Sequence, residues 1–243
     1  MVTTPQAAAA RLADEIEALA AACAREGRRG VLGLAAGRSP RALYAELVRR
    51  HRGRGLSFAS LAVTSLDEYL GIEPGGPGTF EAALRSELIE QVDFAPDAIH
   101  LTRVERGEAP DASAARHEAV LRALGGVDLQ LLGLGANGHV AFNEPGAPRD
   151  SRTRVVTLTE ATRVANISEM PDGMPVPTSA LTMGIGTIFD ARRLRVLAFG
   201  TSKAEALKRL AQGPPDAAWP CTWLRDHADL DVYADAAAAA AER

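Results

Sequence analysis

The sequence predicts an α/β protein whose mostly parallel sheet is covered by helices on both faces. Three observations point there. Short apolar runs alternate with segments of helical period, glycines punctuate the junctions, and residues capable of chemistry cluster just beyond the C-terminal ends of the apolar runs. In sheets of this kind, ligands bind outside the carboxyl ends of the strands.

The elements follow in order. Residues Pro5 to Arg28 place Ala9, Leu12, Ile16, Leu19 and Cys23 at helical spacing. Gly30 opens a buried strand, Val31 to Leu34, and Gly37-Arg38-Ser39-Pro40 turns into a helix running through Tyr44 and Leu47, with Ser39 as the expected N-cap and Pro40 in the first turn. A second strand, Leu61 to Leu66, ends at Asp67-Glu68-Tyr69, and a Gly/Pro loop from Ile72 to Gly78 leads to a helix near Phe80 to Gln91. A helix near Pro110 to Leu124 precedes the strand Val127 to Leu132, and a later strand, Leu194 to Phe199, feeds a helix from Lys203 to Ala211. The low-complexity tail, Ala234 to Ala241, reads as a frayed final helix, and no internal repeat is visible.

With 243 residues, 47% of them hydrophobic, the chain is long enough to bury one core, and a single domain over 1–243 is expected. A net charge of -4 argues against binding nucleic acid by a general electrostatic field, so an anionic substrate would need local cations. No run approaches the ~18 apolar residues of a membrane span, and Met1 to Ala10 lacks the pattern of an export signal, so a cytoplasmic protein is expected. Cys23 and Cys221 suit neither a disulfide framework nor a metal cluster and read as inert buried thiols.

Four constellations carry chemistry. At Gly33 to Pro40, a strand ends in a Gly-containing turn at a helix N-terminus, where free N–H groups, the Ser39 hydroxyl and the Arg38 fork suit a phosphate monoester. It is not a nucleotide P-loop, because Gly-Lys-Ser/Thr is missing. At Asp67-Glu68, two carboxylates at a strand end offer one general base and one structural acceptor. Gly133 to Pro145 contains Gly-x-Gly-x-x-Gly after a strand, but Asn143-Glu144-Pro145 interrupts any long helix and excludes a dinucleotide fingerprint. What remains is a Gly-rich turn presenting His139, with Glu144 five residues on to orient or polarise it for proton transfer. Gly200 to Lys203 is a further strand-to-helix junction with a lysine suited to phosphate.

Together these segments resemble the glucosamine-6-phosphate deaminase/isomerase family, which is related to 6-phosphogluconolactonase, from about Leu32 to Val232. The resemblance rests on Leu-Asp-Glu-Tyr-Leu-Gly (66–71), Gly-x-Asn-Gly-His-Val-Ala-Phe-Asn-Glu-Pro (135–145), Ser-Arg-Thr-Arg-Val-Val-Thr-Leu-Thr (151–159), Ala-Leu-Thr-Met-Gly-Ile-Gly-Thr (180–187) and Gly-Thr-Ser-Lys-Ala (200–204). It implies a modified Rossmann-like sheet without nucleotide, metal or other cofactor, in a monomer or homo-oligomer. It further implies that D-glucosamine 6-phosphate and water become D-fructose 6-phosphate and ammonia. By the same resemblance Asp67 moves the proton between C2 and C1, while His139, held by Glu144, assists ring opening. Asn137 falls where many relatives carry an aspartate, and Gly37, Ser39 and Lys203 hold the phosphate.

Several positions depart from the family pattern. Ser168 stands where an arginine commonly reaches the phosphate, and Arg38, where glycine is usual, is the candidate substitute. The segment at about 160–178 is lid-like, with Glu169 to Pro177 shortened and altered, and the basic pair used by some relatives for allosteric activation is half present, as Arg154 with Val156. Galactosamine 6-phosphate is therefore a competing substrate. A 6-phosphogluconolactonase would usually follow Asp-Gly-His with small and apolar residues instead of Ala-Phe-Asn-Glu-Pro. A catalytically silent sugar-phosphate sensor would not need Asp67, His139 and Glu144 intact.

Overall fold

Thr4 starts the first helix, α1 (Pro5–Glu26), by accepting the Ala7 N–H on its hydroxyl at 3.1 Å, and Gly27, at φ 65°, ends it. Leu12, Ile16, Leu19 and Cys23 are buried along one stripe. The computed structural model describes residues 1–240, so the last residue of the expected tail helix, Ala241, lies outside the described residues. The tail begins instead as β9 (Leu230–Ala234), followed by a short helix over Ala236–Ala239 that Asp235 caps.

The intervening elements run in chain order. β1 (Gly30–Leu34) leads to α2 (Arg41–Arg54) and β2 (Leu61–Ser65), and β3 (Asp67–Tyr69) precedes α3 (Phe80–Glu87). Then come β4 (Ile99–His100), α4 (Pro110–Ala123), β5 (Leu129–Gly133) and β6 (Arg154–Thr157). α5 (Glu160–Asn166), β7 (Ser179–Thr182), α6 (Ile185–Phe189), β8 (Leu194–Ala198) and α7 (Ala204–Ala211) complete the run to β9, with the final helix as α8. Ser39 is not the N-cap of α2: the helix begins one residue later than expected, behind Pro40, and no side chain caps it.

Six strands form one parallel sheet in the order β4-β2-β1-β5-β8-β9. β1, β2 and β8 are wholly buried, as strands covered on both faces must be. The strand order reverses between β1 and β5, which opens a crevice at their carboxyl ends. The two strands approach closely at Gly33, where any Cβ would lie 2.0 Å from the side chain of Gln130. Arg50 of α2 is buried and pairs with Asp14 and Glu17 of α1 at 2.6 and 3.0 Å, fixing these two helices to each other.

The edge strands β4 and β9 are absent from the sequence reading, and so is a second sheet. β3, β7 and β6 form a three-stranded antiparallel sheet in which Asp67 faces Thr182 and Glu68 faces Leu181. The chain thus leaves the parallel sheet at Leu66 and enters the small one at once, so Asp67 to Tyr69 is a buried strand and not a loop. Tyr69, Phe142, Leu158, Met170, Val176 and Ala180 form a second apolar cluster beside it. Tyr69 packs on Phe80 and Phe142 with ring centroids 4.6 and 5.6 Å apart.

Candidate active site

A cleft of about 420 Å³ lies over the crevice between β1 and β5. Its walls are the loops following β1 and β5, the β2–β3 junction, one side of α5 and the start of the β8–α7 turn. Asp67, Asn137 and His139 line it, as do Gly37, Arg38, Ser39 and Lys203, whereas Glu144 stands behind Asn137 outside the lining. Seven of the eight residues singled out in the sequence therefore face one space.

Asp67 and Glu68 have opposite surroundings. The Glu68 carboxylate accepts the backbone N–H groups of Tyr69, Phe80 and Glu81 at 2.8, 3.0 and 2.8 Å, so it satisfies the free first turn of α3. Burial nevertheless pushes this carboxyl up to about 7. The Asp67 carboxyl has no hydrogen-bond partner among the described residues, although only 8% of the residue is exposed. Burial first, and the neighbouring Glu68 charge second, push it up to about 8. A carboxylate in that setting is a stronger base than one in water.

The imidazole is oriented through an amide. Glu144 can only accept, so the Asn137 Nδ2 donating to its Oε2 at 2.8 Å fixes which way the amide faces. Asn137 Oδ1 then accepts a hydrogen bond from His139 Nδ1–H at 2.7 Å, leaving Nε2 of the neutral ring as the acceptor. Glu144 itself comes only to 3.9 Å from Nδ1, so the direct carboxylate–imidazole contact expected from the sequence is relayed by Asn137. Burial holds the imidazole below its ordinary range, opposed by the Glu144 charge and aided by Lys203. The ring lies against Gly135, where a Cβ would come within 2.4 Å of it. Ala141, at φ 52°, turns the chain between His139 and the packed ring of Phe142.

α5 closes the other side of this relay. Thr159, its N-cap, donates to Glu144 Oε1 at 3.2 Å, and the buried Thr162 one turn on donates to the same oxygen. Asn166, at the end of α5, donates to the Tyr69 hydroxyl at 3.0 Å. Neither Thr162 nor Asn166 was singled out by sequence reading; the signal available was the Thr159-x-x-Thr162 spacing at a helix start, which reads equally well as ordinary capping.

Part of the cleft wall is cationic. Lys203 is partly buried without an ion-pair partner among the described residues, and burial followed by the Arg38 charge presses its ammonium below the ordinary lysine range. Gly37 takes φ 90°, a conformation that favours glycine. Ser168 is exposed on the turn after α5 and is not part of the cleft lining, whereas its neighbour Glu169 is. Arg154 lies outside the cleft lining and donates to Asn143 Oδ1 at 2.9 Å. Among the described residues there is no cluster of histidine, cysteine and carboxylate side chains that could hold a metal ion, and no helix is long and apolar enough to cross a membrane.

Comparison with known proteins adds to this geometry. The family model described as glucosamine-6-phosphate isomerases/6-phosphogluconolactonase matches residues 3–233. The glucosamine-6-phosphate deaminase of Bacillus velezensis is 41% identical, with 94% of each chain covered. That of Rhodopirellula baltica is 45% identical over 86% of this chain and 83% of its own. The structure of a monomeric glucosamine-6-phosphate deaminase superposes with a TM-score of 0.87 at 38% identity, covering 97% of this chain and 94% of that one. A 6-phosphogluconolactonase from Trypanosoma cruzi shares the fold, with a TM-score of 0.76 at 20% identity over 98% of this chain and 94% of its own.

Proposed function

The chain belongs to the glucosamine-6-phosphate isomerase/6-phosphogluconolactonase family, and from that premise we propose that it converts D-glucosamine 6-phosphate and water to D-fructose 6-phosphate and ammonia. The observation that carries this reading is the pairing, in one cleft, of an unpartnered, strongly basic carboxyl at Asp67 with a neutral, amide-oriented imidazole at His139. An aldose–ketose shift needs both groups, aligned by an anchored substrate.

The steps follow from the groups. The phosphate sits at the cationic part of the cleft, on the Gly37 to Ser39 turn with Arg38 and Lys203. His139 takes the proton of the C1 hydroxyl and returns it to the ring oxygen, which opens the ring. Asp67 removes the proton from C2 while the substrate ammonium gives one to O1, forming an enolamine; Asp67 then returns its proton to C1, and the nitrogen lone pair leaves a protonated imine at C2. Water adds to that carbon, and the C–N bond breaks to release ammonia and the ketose. Burial of Asp67 favours its protonated form and so strengthens it as a base. Lys203 and Arg38 supply the charge that draws the dianion in.

This reading makes the chain a cytoplasmic enzyme of N-acetylglucosamine catabolism, acting on a phosphorylated amino sugar. Galactosamine 6-phosphate is the second substrate to compare, because Ser168 stands off the cleft and the anion contacts differ accordingly. An ammonia-release assay with glucosamine, galactosamine and mannosamine 6-phosphates tests the proposal, with the highest kcat/KM expected for glucosamine 6-phosphate. Gluconate formed from the lactone without ammonia would make the chain a lactonase, and binding without turnover would make it a sensor.

A further inference from the structure

We propose that Glu169 is a positioning residue for substrate phosphate, holding Arg38 over the cationic part of the cleft from across its mouth; this rests on the reading above that Arg38 meets the phosphate. The two residues come from different walls. Arg38 follows β1, whereas Glu169 ends the turn after α5, and both line the cleft with Lys203. Arg38 Nε lies 3.1 Å from Glu169 Oε1. The second carboxylate oxygen, Oε2, takes Arg41 Nη2 at 2.7 Å, and Arg41 is itself held by Glu87 at 2.9 Å.

The arrangement is asymmetric in a useful way. Arg38 is 72% exposed along its side chain, while Glu169 is 19% exposed, so the carboxylate is the fixed partner and the guanidinium the free one. The Arg38–Glu169 contact is recorded at Nε, and a guanidinium held through Nε can offer its two terminal nitrogens to the two oxygens of a phosphate. A bare carboxylate here would repel a dianion. Arg41 offsets that charge, so Glu169 can steer Arg38 without leaving the cleft negative. An exposed arginine otherwise loses rotamer freedom when it binds, and restraining it beforehand lowers that cost. The arginine contact missing at Ser168 is thereby supplied from the opposite loop, positioned by the residue next to Ser168.

The test is a double-mutant cycle on the full chain, with inorganic phosphate as the calorimetric probe and KM for the phosphorylated amino sugar as the second readout. Exposed ion pairs are worth up to about 1 kcal/mol, so Glu169→Gln should weaken phosphate about three- to fivefold. Arg38→Ala should weaken it about tenfold or more, as loss of a charge-assisted contact does. The double variant should bind no more weakly than Arg38→Ala alone, and the Glu169→Gln loss should fall on KM more than on kcat. Phosphate affinity that is unchanged or improved in Glu169→Gln, or two effects that multiply in the double variant, would overturn the assignment. Phosphate coupling without ammonia release from any amino sugar would sink the proposed reaction and leave this inference standing. Ammonia release with unaltered phosphate affinity in Glu169→Gln would do the reverse.

Discussion

Asn137 presents its amide oxygen to His139 Nδ1 at 2.7 Å, and because its amide nitrogen is already committed to Glu144, the proton on that imidazole has only one place to sit. Orientation here is separated from charge. An amide fixes the tautomer as a carboxylate would, without stabilising the imidazolium to the same degree.

Replacing the amide by a carboxylate should restore that missing charge. In Asn137→Asp, the His139 ring, which burial holds low in the native chain, should titrate about one pH unit or more higher. NMR titration of the imidazole checks this. A ring that titrates at the native pH would show that Asn137 does not set its basicity.

Asp67 should make the chain less stable as pH rises. Its carboxyl is pushed from an ordinary 3.8 up to about 8 in the folded protein. The folded state thus holds a proton that the unfolded chain gives up above 3.8, and the stability this contributes drains away between 3.8 and about 8. Asp67→Asn should abolish turnover yet melt higher than the parent at pH 8, by several degrees, with the gap closing towards pH 4 (about 2–4 °C per kcal/mol for a domain of this size). Equal melting temperatures at both pH values would remove the case for a destabilised base. In the parent, kcat/KM should climb with pH and level off above about 8.

Thr162 donates to the Glu144 carboxylate from α5. Thr162→Val keeps the shape and removes the donor, and hydrogen bonds to charged groups are worth about 1.5–3 kcal/mol. A fall in kcat of about tenfold is expected, with most of it recovered in Thr162→Ser. Steady-state kinetics on the three proteins decides it, and a serine variant as impaired as the valine one would point to packing instead.

Gly135 leaves room for the imidazole, since a Cβ there would lie 2.4 Å from the ring. Gly135→Ala should displace His139 and cost about a hundredfold in kcat, the scale expected when a catalytic group moves by an ångström. Circular dichroism and melting should stay near native. Full activity in this variant would mean the ring is not where turnover needs it.

Four strands of the parallel sheet, β1, β2, β5 and β8, were legible in the sequence because they are apolar runs of five residues, and the loops after β1, β5 and β8 announced themselves by residue type. The edge strands β4, only two residues long, and β9, half exposed with a polar Asp231, were not. Asp67, Asn137, His139, Gly37, Arg38, Ser39 and Lys203 lie on such loops or at the next strand start, so local pattern was enough to nominate them. The antiparallel sheet was not legible. Its strands are three or four residues long, and the pairing of Asp67 with Thr182 joins segments more than a hundred positions apart with no turn signal between them. Glu169 escaped notice for a related reason: as one residue in a Pro/Gly-rich stretch it says nothing about the arginines it meets. The Glu144 relay was half legible, since the spacing suggested an oriented imidazole but not that an amide would stand between.

The small antiparallel sheet has a further consequence for how the molecule fails on heating. It anchors the Asp67 backbone through a few ladder bonds between short strands, while the six-stranded sheet carries most of the buried core. Short ladders open at lower free energy than the body they sit on. Warmed gradually, the protein should therefore go silent while its far-ultraviolet spectrum still looks folded, and cooling from that interval should bring the activity back.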